Sequence, residues 1–383
     1  MKMRKVILYV FFLSVAFACR KPYEPSVIKA DYNYLVIDGV INANANGIST
    51  ISLSRTKNLS DSLLPKPETG AQIRIEDESG GSYLLVPQGN GLYNSAPLNL
   101  GPLNKYRLKI TTGNGSIYQS DYVPVKQTPP IDSITWKQKL DSPDKAVTIY
   151  AHTHDPQNKT LFYRWNFIET WQYQSQLQGS LGQDNRGRTF YTDSTTQTTN
   201  CWSTTLSANI STASSEALSQ DVISYAPVEV VPQNDERMAV RYSINVKQYG
   251  LTKEAYNYWQ IVKKSSQQTG SIFDPQPAQV IGNIHCISNP DEPVIGFASV
   301  SFVTEKRLFI GYRELADWHF PNAPGSLCKT DLWPTNQIDF SIFTYPDTTY
   351  QPYYFSGPYT VVARKVCVDC RRRGGTNQKP PFW

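Results

Sequence analysis

The sequence predicts a mainly β protein: immunoglobulin-like or fibronectin-like β-sandwich domains in tandem, with one prominent helix in the C-terminal half. Three observations predict it. Short apolar runs alternate with polar residues at period two, the spacing of a half-buried strand. Clusters of Gly, Asn and Pro punctuate these runs at hairpin intervals. Aromatics are plentiful, with 24 Tyr and 8 Trp, whereas Met (3) and His (4) are scarce. Aromatic and β-branched side chains suit pleated, half-buried surfaces.

The chain opens on Met1-Lys2-Met3-Arg4-Lys5, followed by an apolar run over 6–18 and then Cys19. The run has the length of a signal-peptide core and falls short of the roughly 20 residues a membrane span needs. We read 1–18 as a signal peptide, Cys19 as the lipidated first residue of a bacterial lipoprotein, and 19–31 as a Pro-containing tether. Acyl chains are then the expected anchor to the outer membrane. The sequence leaves open whether the chain faces the periplasm or the cell surface.

Strand patterning starts at Tyr34 and Leu35-Val36-Ile37, and Ile51 and Leu53 alternate with Ser and Thr. Residues 71–77 alternate cleanly, turn at Gly80-Gly81 and return over 83–86. Residues 104–110 alternate again and turn at Gly113-Asn114-Gly115. Some seven short strands with such turns are the pattern of an immunoglobulin-like sandwich over 32–127. Thr128-Pro129-Pro130 reads as a stiff linker. A second β-rich domain is expected over 131–383, with strands near 131–137, 146–152, 161–171 and 238–249. The helix lies near 252–268: Thr252 caps it, no Gly or Pro interrupts 253–268, and Ala255, Tyr258, Trp259 and Val262 recur at helical spacing. That stripe is expected to pack on a sheet.

Formal net charge is +5. Lys2, Arg4 and Lys5 leave with the signal peptide, so the mature chain carries about +2 and lacks the basic footprint of a nucleic-acid binder. Arg371-Arg372-Arg373 is local and reads as a solvated or carboxylate-paired turn. Beyond Cys19 there are five cysteines, and export permits disulfides. Cys201, Cys328, Cys367 and Cys370 are the disulfide candidates. Spacing alone does not dictate connectivity; we expect Cys328 to pair into the Cys367/Cys370 doublet, Cys201 to take the other position, and Cys286 to be left over.

Candidate chemistry is sparse. His152 and His154 are alternate residues on one strand face and need a third metal ligand, for which only Asp155 is at hand. His285 beside Cys286 is weaker still. His319 with Cys328, Cys367 and Cys370 has the donor types of a Cys3His zinc set, but in an oxidising compartment disulfides take precedence. The Cys367-Val368-Asp369-Cys370 spacing can be a redox motif, yet no thioredoxin-like βαβ pattern surrounds it. There is no Gly-x-Ser-x-Gly elbow and no phosphate-cradling loop around Gly374-Gly375-Thr376. The acidic pairs Glu76-Asp77 and Asp291-Glu292 sit in turn-like contexts and read as solvated. No catalytic residue, metal or cofactor is expected. The aromatic- and amide-rich stretches 172–200 and 316–358 suit binding surfaces on a rigid scaffold.

Several motifs taken together resemble the domain of unknown function 4249 family of Bacteroidota lipoproteins. They are Leu35-Val36-Ile37-Asp38-Gly39-Val40-Ile41, Cys201-Trp202, Tyr256-x-x-Trp259 leading to Gly270-Ser271-Ile272-Phe273-Asp274-Pro275, Gly282-Asn283-Ile284, and 289–297. The most specific is the ending Asp369-Cys370-Arg371, Gly374-Gly375-Thr376, Lys379-Pro380 and Phe382-Trp383. The resemblance implies an outer-membrane-associated lipoprotein, often encoded near TonB-dependent receptors, with no established activity and no catalytic residues to carry over. The expected function is therefore non-catalytic: an accessory or ligand-capturing subunit associated with a TonB-dependent transporter, ligand unknown. A stand-alone adhesin or structural surface lipoprotein is the second reading, and a metal-binding protein the third.

Overall fold

A computed structural model describes residues 33–57, 65–141, 145–183, 189–193, 196–233, 235–267, 281–316, 318, 328–334 and 350–383. The expected signal peptide, Cys19 and the whole tether lie outside the described residues, as do the motif at 270–275 and most of the loop-rich stretch 316–358. The protein is mainly β, as the alternation predicts.

Eight strands close on themselves in the first part of the molecule. Lys105–Thr111 pairs with Gln72–Asp77, then in turn come Ser82–Gly89, Leu92–Ser95, Thr50–Arg55 and Leu35–Asn42. Val300–Ser301 follows, parallel to Leu35–Asn42 on one side and to Val123–Lys126 on the other. Val123–Lys126 pairs back onto Lys105–Thr111 and seals the ring. The alternating residues Ile51, Leu53, Ile73, Ile75, Tyr106, Leu108 and Ile110 fill it and are buried throughout. This closed barrel replaces the immunoglobulin-like sandwich expected over 32–127. The reason is physical: the closing strand comes from far along the chain, and closure removes the open sheet edges that a sandwich keeps.

Residues 281–302 therefore join the barrel although they follow the helix, so the stretch expected as one second domain, 131–383, is interrupted. Ile284–Cys286 adds to the Ile117–Ser120 edge, and Ile295–Gly296 runs parallel to the start of Leu35–Asn42. The Asn283 side chain acts as a surrogate backbone here. Its amide nitrogen donates to the Ala298 carbonyl at 3.0 Å and its oxygen accepts from the Ala298 N–H at 2.8 Å.

The second unit stacks two antiparallel sheets. One is Ile131–Lys139, Ala146–His154 and Val222–Pro232; the other is Asn200–Leu206, Phe162–Gln174, Arg241–Gly250 and Val303–Gly311, with Ser211–Ser214 also on Phe162–Gln174. Ile134, Val147 and Ile149 from the first sheet meet Tyr163, Trp165, Tyr242 and Ile244 from the second in one buried core. The helix Lys253–Gln267 starts where Thr252 caps it: the Ala255 N–H donates to Thr252 Oγ1 at 3.2 Å. Ala255 is buried with Phe162, Tyr249 and Leu251, and Trp259 and Val40 pack against them. The helix thus lies over the outer face of the larger sheet, as its stripe predicts.

Thr128-Pro129-Pro130 is a seam rather than a free hinge. Thr128 Oγ1 and Ser301 Oγ are 2.8 Å apart, and the Gly250 N–H donates to Thr128 Oγ1 at 2.8 Å. Buried Gln248 donates to the Pro129 carbonyl at 2.8 Å and accepts from Trp165 Nε1 at 2.8 Å.

The return segment requires glycine where it crosses itself. A Cβ on Gly282 would stand 1.7 Å from the Gly296 carbonyl oxygen, so any larger residue must push one backbone off the barrel edge. Gly282→Ala is expected to cost about 1–3 kcal/mol, read as a lower denaturation midpoint in urea with an unchanged slope. Parental stability would show that the segment is not docked.

Candidate functional site

The structure joins Cys201 to Cys370 and Cys328 to Cys367, and leaves Cys286 free and buried. This is the expected pairing, and it spends the sulfurs of the conceivable zinc set; His319 lies outside the described residues. Around the two bridges the chain end is clasped. The Cys370 N–H donates to the Thr198 carbonyl at 2.9 Å, and Trp202 and Thr376 exchange backbone bonds at 2.8 and 2.9 Å. Tyr173 Oη donates to the Cys370 carbonyl at 3.0 Å. A Cβ on Gly375 would fall 2.2 Å from that hydroxyl, which explains the glycine. Arg371 is paired with Asp369 at 2.8 Å, and Arg373 with Glu236. Arg372 Nε also stands 3.9 Å from Asp369, so all three members of the arginine run are paired with carboxylates. Trp383 sits edge-on to both Trp202 and Phe309. Cys370→Ser is expected to cost about 2–5 kcal/mol, read by chemical denaturation. In the parent, alkylation of the unfolded, unreduced chain is expected to mark Cys286 alone among the five.

The histidine pair is divided between two partners. His152 Nε2 lies 2.7 Å from Thr135 Oγ1, and His154 Nδ1 lies 2.8 Å from Asp132 Oδ2. No group of three His, Cys, Asp or Glu is placed to hold a metal among the described residues. Burial lowers the His152 pKa, whereas the hydrogen bond to Asp132 raises that of His154. A raised value means that His154 stabilises the fold below its ordinary pKa of 6.5, and that this contribution is lost as pH rises through the folded value. His152 behaves oppositely and opposes folding as pH falls. Near pH 6.5, proton NMR is expected to find His154 mostly charged and His152 mostly neutral. Asp132→Asn should return His154 towards 6.5, and a joint titration of both rings would contradict the assignment.

Two clefts bear on the helix, one walled by it and one lined by Arg164, on which Trp259 of the helix stacks. The larger, of about 680 Å³, is walled by Val262, Ser265 and Ser266 of the helix, by Ile284 and Cys286 of the return segment, and by Glu292 and Val294 of the following turn. Glu292 is not the solvated acid its turn suggests. It accepts a hydrogen bond from Tyr118 Oη at 2.7 Å, Arg55 Nη1 stands 3.7 Å away, and the Cys286 thiol approaches at 3.7 Å. Burial, and next the bond to Glu292, push the Tyr118 phenol up to about 12. These polar groups are engaged with one another, leaving the apolar walls to meet a ligand. The other acidic pair is equally committed: Glu76 to Arg107, and Asp77 to the amides of Ser79 and Gly81.

The smaller cleft, of about 360 Å³, opens where Asp38 and Val40 of the barrel face the larger sheet of the sandwich. Alternation along Phe162–Gln174 sends Tyr163, Trp165 and Phe167 into the core, which leaves Arg164 and Asn166 on the outer face. Register places Tyr249 opposite Arg164 and Lys247 opposite Asn166. The Arg164 guanidinium lies 3.5 Å from the Trp259 ring centre, and burial lowers its pKa. Sequence reading missed this residue, because an arginine in an alternating strand looks like an outward, solvated one. The only signal was Trp259 in the helix stripe.

The family model described as Domain of unknown function (DUF4249) matches residues 20–307, ending before the C-terminal clasp. No curated protein matches the chain. Among solved structures, a chain described as "Biofilm associated protein - BSP domain" aligns at 8% identity with a TM-score of 0.15, over 74% of this chain and 60% of the length of that one. So slight a likeness carries no argument. The family model spans most of the sequence, and the chain belongs to the DUF4249 family.

Proposed function

We propose that this protein is a non-catalytic, lipid-anchored accessory subunit that captures a ligand beside a TonB-dependent transporter of the outer membrane. The observation that carries ligand capture is the 680 Å³ cleft between the helix and the return segment. Its volume falls in the range of small-molecule sites, roughly 300–1,000 Å³, and its walls are largely apolar with a few polar groups at fixed positions. The anchor rests on Cys19 directly after an apolar run. The transporter rests on the resemblance to lipoproteins often encoded near such receptors.

The test is recovery of the tagged full-length protein from cells in mild detergent. A β-barrel transporter is expected to co-purify; repeated recovery without one would overturn the accessory role. Ser265→Trp, which fills the cleft from the helix side, is expected to keep the partner and to cut uptake of the transported solute several-fold. Unchanged uptake would remove the cleft from the function.

A stand-alone adhesin is the second reading. Leu332, Phe355 and Tyr359, exposed on the three-stranded sheet of Thr330–Pro334, Tyr359–Arg364 and Tyr350–Ser356, with Tyr191 beside Phe355, favour it. A deletion strain with normal uptake and lost attachment would decide for it.

A further inference from the structure

The smaller cleft holds a cation that the fold pairs only loosely, with one exposed carboxylate. Arg164 is only 6% exposed. Its Nε is buried without a partner, and the guanidinium donates no hydrogen bond among the described residues. Among the described residues the one carboxylate near it is Asp38, 3.8 Å from Nη2, whose own side chain is 61% exposed. Other enclosed arginines of the molecule are treated differently. Arg237 is bonded to Glu169, Glu229 and Asp235 at 2.8, 3.0 and 2.9 Å, and Arg55 to Glu68 at 2.6 Å. Burying a guanidinium with unspent donors is costly, and apolar replacement of such a group is often neutral or stabilising. Arg164 is therefore a poor choice for the fold alone.

Its surroundings suit an anion. The Trp259 ring covers one face of the guanidinium and holds its plane. Lys247, half-buried one residue pair along the same face, forms no ion pair among the described residues. Glu305, opposite Lys247 on the next strand, is held by Asn245 at 3.0 Å. The rim adds the polar side chains of Asn42, Thr50 and Ser207. The planar fork of arginine can grip two oxygens of one carboxylate, sulfate or phosphate, which a lysine cannot do.

We propose that this cleft binds the oxyanion of a small solute, with Arg164 as anchor and Lys247 as second cation. Asp38 stands at the mouth as the internal competitor that the anion displaces. The site is separate from the larger cleft and does not depend on the reading given to that one.

The experiment is thermal unfolding of the detergent-solubilised full-length protein at constant ionic strength. Inorganic phosphate, inorganic sulfate and galacturonate are the probes, with galactose as the uncharged twin of galacturonate. At least one anion is expected to raise the parent's midpoint in a saturable way, and galactose is expected to do less than galacturonate. A response to phosphate or sulfate alone assigns an inorganic anion; a response to galacturonate alone assigns an acidic sugar. Asp38→Asn should tighten the responding anion several-fold, and Lys247→Met should weaken it about tenfold. Arg164→Met should abolish the response without lowering the midpoint in the absence of anion. If Arg164→Met fails to fold, the first two variants decide. The proposal is overturned if no anion shifts the parent, if Arg164→Met responds like the parent, or if Asp38→Asn fails to tighten binding.

Discussion

The contact on which the rest of the molecule depends is the parallel insertion of Val300–Ser301 between Leu35–Asn42 and Val123–Lys126. It closes the barrel with only two residues. The same two neighbours then leave the barrel together. Val123–Lys126 continues through Thr128-Pro129-Pro130 into the smaller sheet of the sandwich, and Val300–Ser301 continues into Val303–Gly311 of the larger one. The hydroxyls of Thr128 and Ser301 meet at this point of departure. Barrel closure and the relative placement of the two sheets are thus one geometric condition.

Such a closure brings together residues far apart in the chain, Val300 with Val125 on one side and with Ile41 on the other. Loop-closure entropy is lost before the contact is rewarded, and long-range pairing of this kind slows folding. The structure offsets the small size of the closing strand with side chains that imitate a ladder. Asn283 exchanges two bonds with Ala298, and Asn44 exchanges two with Val303, at 2.7 and 2.8 Å. At the seam the Gln248 amide and the Thr304 hydroxyl both donate to the Pro129 carbonyl, at 2.8 and 3.1 Å. Each of the two asparagine amides is buried or half-buried, so losing one orphans a backbone group rather than merely deleting a bond.

What was legible in the sequence follows from range. Alternation at 71–77 and 104–110, the Gly-rich turns and the helix stripe are local patterns, and each appears where the pattern puts it. The cysteine pairing was expected but not dictated: five cysteines leave many arrangements, and the fold selects Cys201–Cys370 and Cys328–Cys367. Closure was not legible, since Val300–Ser301 and Ile295–Gly296 are too short to show any period. Glu292 was misread for the same reason. Its partner Tyr118 lies 174 positions away, and nothing in the turn around it announces that contact. Arg164 differs: its position on the outer face was readable, but the helix and barrel strand that enclose that face lie more than 200 positions apart in the chain.

The helix Lys253–Gln267 ties the two clefts together. Trp259 covers the Arg164 guanidinium in one of them, while Val262, Ser265 and Ser266 wall the other. At 1.5 Å per residue, Trp259 and Ser266 are about 10 Å apart along the axis, and seven positions place them on nearly the same face. The helix therefore sets its C-terminal half on the larger cleft and, near its middle, Trp259 on the Arg164 that lines the smaller. It is pinned between them by Ala255 and Tyr258, both buried, with Tyr258 against Phe297 of the return segment. One helix thus supplies a wall to the larger cleft and the aromatic cover of Arg164 in the smaller, and its buried Ala255 and Tyr258 fix both roles to the same packing.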